Sequence, residues 1–209
     1  MKMIINFILQ GINGERFMER NSQNNQRYQL ESQLREAYGR VVYTQTCHDK
    51  IINRLIKKSN RIKCLQIFLS SITTSGFIVT LFAEDKIASI LGAFISLILL
   101  ILNFYSKNFN LTEEAQNHRV ASDTLWKIRE EYISLLTDFD ILDLKSIMKK
   151  RDELQERTAE VYSSSPRTDR ESYLEAKKAL KNEEEQTFSE REIDIMLPNS
   201  IRRSDRVKK

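Results

Sequence analysis

Charge is dense along most of the chain and then almost stops. Residues 64–105 carry charge only at Glu84, Asp85 and Lys86, which divide the stretch into two 19-residue runs, Cys64–Phe82 and Ile87–Tyr105, each free of charge and proline. At about 1.5 Å of rise per residue, each run spans roughly 28 Å as a helix, close to the ~30 Å hydrocarbon core of a bilayer. A helix apolar on every side must be covered on every side. A buried hairpin in a soluble bundle would need a sheath that the remaining, largely polar chain does not supply. The pattern therefore predicts a transmembrane hairpin.

The two runs differ in strength. The second holds twelve Leu, Ile or Phe residues, enough to insert alone at about −0.3 to −0.6 kcal/mol each. The first is diluted by Gln66, Ser70, Ser71, Thr73, Thr74, Ser75 and Thr80, so it is expected to enter paired with the second. The four-residue connector 83–86 makes the two antiparallel neighbours. Ala88, Gly92 and Ser96 form a small-residue face, and Gln66, Ser70 and Thr74 a weakly polar stripe at the same spacing. Small faces permit close helix approach, and hydroxyls and amides bond across helices. These six positions either pack the two helices of one hairpin or form an assembly or pore face between several chains. No charge lies mid-span, which excludes a proton relay or voltage sensor.

Beyond the membrane the spacing becomes that of packed helices. Leu34, Val41, His48, Leu55 and Ile62 recur every seventh residue, interleaved by Tyr38, Gln45, Ile52 and Ser59. Ala121, Leu125, Ile128, Tyr132, Leu135 and Phe139 repeat at alternating steps of four and three. Both spans should thus continue as long helices that pack together, with a core of Val41, His48, Ile52, Leu55, Leu125, Trp126, Ile128 and Tyr132. In a hairpin turning between Glu84 and Asp85, residues whose numbers sum to about 169 share a height. Trp126 then lies level with Tyr43, roughly 30 Å beyond the membrane edge, and is expected to anchor the core rather than an interfacial belt, where Phe104 and Tyr105 fall. Leu144, Ile147, Leu154 and Val161 mark a further helix, ended by "YSSSPRT". Pro166 suits the first turn of the next helix and Thr168 with Glu171 a capping box; that helix carries Tyr173, Ala176 and Leu180.

The predicted fold is all-α: a two-helix transmembrane hairpin continued into a cytoplasmic helical bundle. Its parts are an amphipathic segment and polar linker (1–28), a helix leading into the membrane (29–63), the hairpin (64–105), a helical bundle (106–197) and a basic tail (198–209), expected to be solvated and mobile. The start, "MKMIINFILQGI", has no small-residue cleavage site after it and reads as an amphipathic helix rather than a signal peptide. Lys50, Arg54, Lys57, Lys58, Arg61 and Lys63 precede the first span and Lys107 and Arg119 follow the second, against one lysine in the connector. This asymmetry places both termini in the cytoplasm of a multi-pass inner-membrane protein. The net charge of +4 is too small to imply nucleic acid.

No phosphate-cradling glycine loop, nucleophile elbow or paired Cys-x-x-Cys occurs, so neither catalysis nor a cofactor is expected. Cys47 and Cys64 lie about 25 Å apart on one helix, too far to bridge, which fits a reducing setting. His48 and His118 come close to the same height beside Cys47, a partial zinc set; without a visible fourth ligand, packed polar residues in the seam are the reading preferred.

The layout resembles a known family. The paired spans, the short charged connector, "AQNHRVASDTLWKIREEY" and "SSSPRTDRESYLEAKKAL" are similar to the SMODS and SLOG-associating two-transmembrane effector (SLATT) domains of bacterial conflict systems, over roughly Gln29 to Leu197. The region after the second span looks most like the fifth subfamily, found beside reverse transcriptases. The resemblance implies a membrane effector that forms pores or perturbs the membrane when a partner senses infection. It implies a homo-oligomer in the lipid bilayer, activated by a cytoplasmic sensor of nucleotidyltransferase or reverse transcriptase type, with no catalytic residues and no small-molecule substrate. The competing expectation is an adaptor whose arms bind the sensor while the hairpin only tethers.

Overall fold

A computed structural model describes the backbone of residues 2–83, 86–198 and 201–203, and the side chains of residues 21–76, 86–87, 89–198 and 201–203. Six helices occur in it, α1 (Lys2–Ala83), α2 (Lys86–Asn108), α3 (Leu111–Thr137), α4 (Leu144–Ser164), α5 (Arg170–Lys181) and α6 (Glu190–Met196). The protein is all-α, and no strand occurs among the described residues.

Helix α1 runs unbroken for 82 residues, where the sequence pattern suggested a short helix and linker before residue 29. The polar stretch contains no proline, and Glu, Arg and Gln are good helix formers, so extending an existing helix costs little. The return arm is less continuous than expected. Phe109 and Asn110 interrupt it, because Asn110 takes the N-cap role: its Oδ1 accepts from the Glu113 N–H at 3.2 Å while its Nδ2 donates to Glu113 Oε2 at 2.8 Å.

Helices α1 and α3 make the principal interface, with α4 against α3 and α5 against α1. Leu34 and Val41 of α1, Leu125, Ile128 and Tyr132 of α3, and Ile147 and Leu154 of α4 are all at most 1% exposed. They form one core with Leu30, Ala37, Ala121, Leu135, Phe139 and Val161. Every residue of the four–three repeat on α3 is inside, because that spacing keeps one stripe in register with the α1 seam. At its far end the bundle is closed by Arg27, which donates to the carbonyls of Phe139 (2.6 Å) and Leu142 (3.2 Å) and lies over the Phe139 ring.

Trp126 is not a core anchor: it is half exposed, at 50%. It follows Leu125 directly, and one residue turns a helix by about 100°, off the buried stripe. Equal height with Tyr43 fixes position along the axis, not facing. Tyr43 stacks instead on Tyr173 of α5, ring centroids 5.9 Å apart.

Helix α5 starts later than its sequence suggested. Its cap is Asp169, paired reciprocally with Ser172, while Pro166 lies in the extended linker before it. Asp is a stronger N-cap than Thr, and the Asp169 carboxylate also meets Arg54 of α1 at 2.7 Å. Ser172, Ala176 and Ala179 form the buried face, and Tyr173 lies half exposed at its edge, against Tyr43. Small residues there let α5 lie close against α1.

Candidate functional site

Two places join residues of unusual chemistry: the facing sides of the hairpin, and a polar layer where the arms leave it. In the hairpin, Gln66 Nε2 donates to Asn103 Oδ1 at 2.9 Å. Their numbers sum to 169, the register the short connector imposes. Asn103 was not singled out from the sequence, although that sum would have found it. The stripe itself is only partly covered by this contact: Gln66 is half-buried, while Ser70 and Thr74 are exposed. Thr74 and Ser96 return their hydroxyls to the carbonyls of Ser70 and Gly92, both at 2.9 Å, which is how a hydroxyl satisfies itself in an apolar setting. A Cβ placed on Gly92 would meet nothing within 4 Å, so contacts within the chain do not require glycine there. Ala88 lies outside the described side chains, as do residues 77–83 and the acidic pair 84–85.

The outer surface of the hairpin is apolar and uncovered. Ile87, Ile90, Leu91, Phe94, Leu97, Ile101 and Phe104 are each more than half exposed. Within the helical stretch from Ser89, the most apolar 18-residue window has a mean hydropathy of 2.0 and none of it is buried, making it long and apolar enough to cross a membrane. At the mouth of the hairpin, Lys58 stands over the Tyr105 ring, which stacks on Phe109.

The polar layer interrupts the apolar seam of the arms. His48 and His118 are each 2% exposed and their Nδ1 atoms lie 2.7 Å apart. One ring must carry its proton on Nδ1 and donate, and the other must accept there. Burial, followed by the neighbouring imidazole, lowers the pKa of His48 from 6.5 to about 4; burial also lowers that of His118. Both rings are therefore neutral at physiological pH. Beside them Ser122 donates to Asp49 Oδ1 at 2.6 Å, and burial pushes the Asp49 pKa up. Buried Cys47 faces Ser172 and Asp169 of α5 rather than the imidazoles, and its pKa is raised by burial. Among the described residues no group of three or more His, Cys, Asp or Glu is placed to hold a metal ion. Of the remaining seam positions, Val41, Ile52, Leu125, Ile128 and Tyr132 are buried, and Leu55 is half-buried nearer the hairpin.

Below the layer Arg54 gathers Asp169, Glu171 and Glu175 of α5, and Lys50 binds Glu185 at 2.9 Å. Two of the six basic residues that precede the first span are thus engaged in the bundle. Lys57, Lys58, Arg61 and Lys63 pair with no carboxylate among the described residues, leaving an unbalanced positive collar at the base of the hairpin.

A long helix, a paired apolar hairpin and helical return arms are the geometry against which the comparisons stand. The sequence model of the SMODS and SLOG-associating 2TM effector domain family 4 matches residues 30–192. The chain belongs to this SLATT family. The match begins at Leu30, the first buried residue of α1 among the described side chains, and ends within α6, so the SLATT domain includes the bundle as well as the hairpin. The family matched is the fourth, and the expected likeness to the fifth gains no support from it. No curated protein and no solved structure matches the chain.

Proposed function

We propose that this SLATT protein is a membrane-embedded effector of a bacterial conflict system. In this reading it oligomerises through its hairpin and, once triggered, permeabilises the inner membrane, arresting growth. The observation that carries the reading is the hairpin surface: an apolar helix with none of its most apolar window buried, beside a polar stripe that the chain only partly covers itself. Lipid or a second copy must cover the apolar side, since leaving it in water would forgo about 25 cal/mol per Å². The unpaired collar of Lys57, Lys58, Arg61 and Lys63 supports both termini lying on the cytoplasmic side. Open space at Gly92 supports close approach of another hairpin there.

The first experiment is alkaline carbonate extraction of membranes from cells expressing the chain, followed by membrane-potential dye measurements on induction. Retention in the pellet with loss of potential is expected; release into the supernatant would refute integral insertion. Gly92→Leu should leave the protein in the pellet and abolish depolarisation. Unchanged depolarisation in that variant would remove the small-residue face as the assembly seam.

A second reading rests on α3. Trp126 and Ile133 are exposed two helical turns apart on its outer side, a surface suited to an adaptor whose arms bind a cytoplasmic sensor of nucleotidyltransferase or reverse transcriptase type. A steady membrane potential during growth arrest, together with loss of arrest in Trp126→Ala, would favour it.

A further inference from the structure

The linker between α4 and α5 forms one wall of an open cavity of about 280 Å³ whose other walls are α1 and α4. Thr44 and His48 face it from α1, Tyr162 from α4, and Ser165, Arg167 and Thr168 from the linker. Its lining carries one imidazole, one guanidinium and four hydroxyls, of which Thr44 Oγ1 already donates to the Arg40 carbonyl at 2.9 Å and meets Tyr162 Oη at 3.2 Å, and it carries no carboxylate. Arg54, Arg129, Arg151, Arg157 and Arg203 stand within ion-pair distance of an acid, whereas Arg167, like Arg61, Arg119, Arg170 and Arg191, pairs with none among the described residues; of these five only Arg167 lines the cavity. The backbone N–H groups of Arg167 and Thr168 likewise donate to no acceptor in the described chain. Asp169, the nearest acid in sequence, is held away by its own helix N-terminus and by Arg54.

We propose that this cavity binds a small phosphate-bearing anion. A guanidinium with adjacent backbone and hydroxyl donors is the set that tetrahedral oxyanions use. The volume sits at the lower edge of the ~300–1,000 Å³ typical of ligand sites, which limits the ligand to a small molecule. His48 has its Nδ1 engaged by His118, so the nitrogen it has left for a ligand is Nε2. The site stands 16 residues before Cys64, about 24 Å from the membrane edge, so the anion comes from the aqueous phase and not from a lipid headgroup. Binding there touches α1, α4 and the start of α5 together. Anion binding here does not require the hairpin to conduct.

The test is calorimetric titration of inorganic pyrophosphate into the full chain in nanodiscs at constant ionic strength. Saturable binding is expected, weakened about tenfold or more by Arg167→Gln and unchanged by Arg170→Gln, a neighbouring exposed arginine outside the lining. Circular dichroism of both variants establishes that they fold. Absence of saturable binding, or equal binding by the two variants, overturns the site. Nanodiscs of zwitterionic and of anionic lipid should give the same affinity; binding lost only in the anionic discs would mean that headgroups fill the cavity and would overturn its assignment to a soluble anion.

Discussion

Replacing His118 with leucine tests the polar layer directly. The substitution removes the partner of His48 Nδ1, 2.7 Å away in a layer where both rings are 2% exposed. A buried polar group left without a partner costs about 1–3 kcal/mol. For a chain of this length each kcal/mol moves the melting temperature by about 2–4 °C, so a fall of roughly 2–12 °C at pH 7.5 is expected. The double variant His48→Leu/His118→Leu removes both polar groups and should recover most of the loss. Acid supplies a second signature. The folded pKa of His48 is lowered from 6.5 to about 4, so as pH falls below 6.5 the unfolded chain binds a proton that the folded chain refuses. The stability is complete above pH 6.5 and is lost as pH falls toward about 4. At about 1.4 kcal/mol per unit the ceiling is roughly 3 kcal/mol. The groups facing the pair are Glu114 and Asp169, which favour protonation of His118, and Arg54, which opposes it. Thermal melts of the full chain in detergent, followed by circular dichroism between pH 7.5 and pH 5, separate this step from the Glu131 and Asp169 carboxylates, whose pKa values are lowered and which stay ionised there. An acid-induced loss that persists undiminished in the double variant, or single and double losses that simply add, would refute the coupled pair.

Other perturbations probe the same structure. Leu125→Ala, at a fully buried position, should cost about 2–5 kcal/mol, whereas Trp126→Ala beside it should cost less than about 1 kcal/mol; chemical denaturation of both variants checks the difference. Iodide should quench the tryptophan emission of the folded wild-type protein, as fits a half-exposed ring. Asp49→Asn keeps an acceptor for Ser122 and removes a charge that burial disfavours, so at pH 7.5 melting should be unchanged or raised, by up to about 1 kcal/mol. Arg54→Gln should loosen α5 from α1, seen as faster hydrogen exchange across residues 170–181, at a global cost of about 1 kcal/mol, since its partners are largely solvent-exposed.

Long regular patterns carried most of the fold. The two charge-free 19-residue runs and the short connector between them determined by themselves that α1 and α2 pair as a hairpin, because a four-residue connector leaves two helices no choice but to lie side by side. The seven-residue seam and the four–three repeat likewise determined the buried stripes of α1 and α3, since a helix with fixed turn per residue presents equally spaced positions on one side. Those arguments fail wherever the answer depends on rotation or competition between neighbours. Trp126 could be placed at its height but not on its face. Asp169, a stronger N-cap former than Thr168, caps α5 through its reciprocal box with Ser172, and only packing showed that Arg54, 115 residues earlier, also reaches it. The Phe109–Asn110 break turned on a capping preference that the apolar pattern does not record. The histidines could be seen to share a height, but only packing showed that their nitrogens meet, that Cys47 turns away toward α5, and that the Ser-Pro-Arg-Thr linker folds over His48 to leave an unpaired arginine. A sequence orders residues along axes; which side chains share a site is decided by how those axes are rotated and packed together.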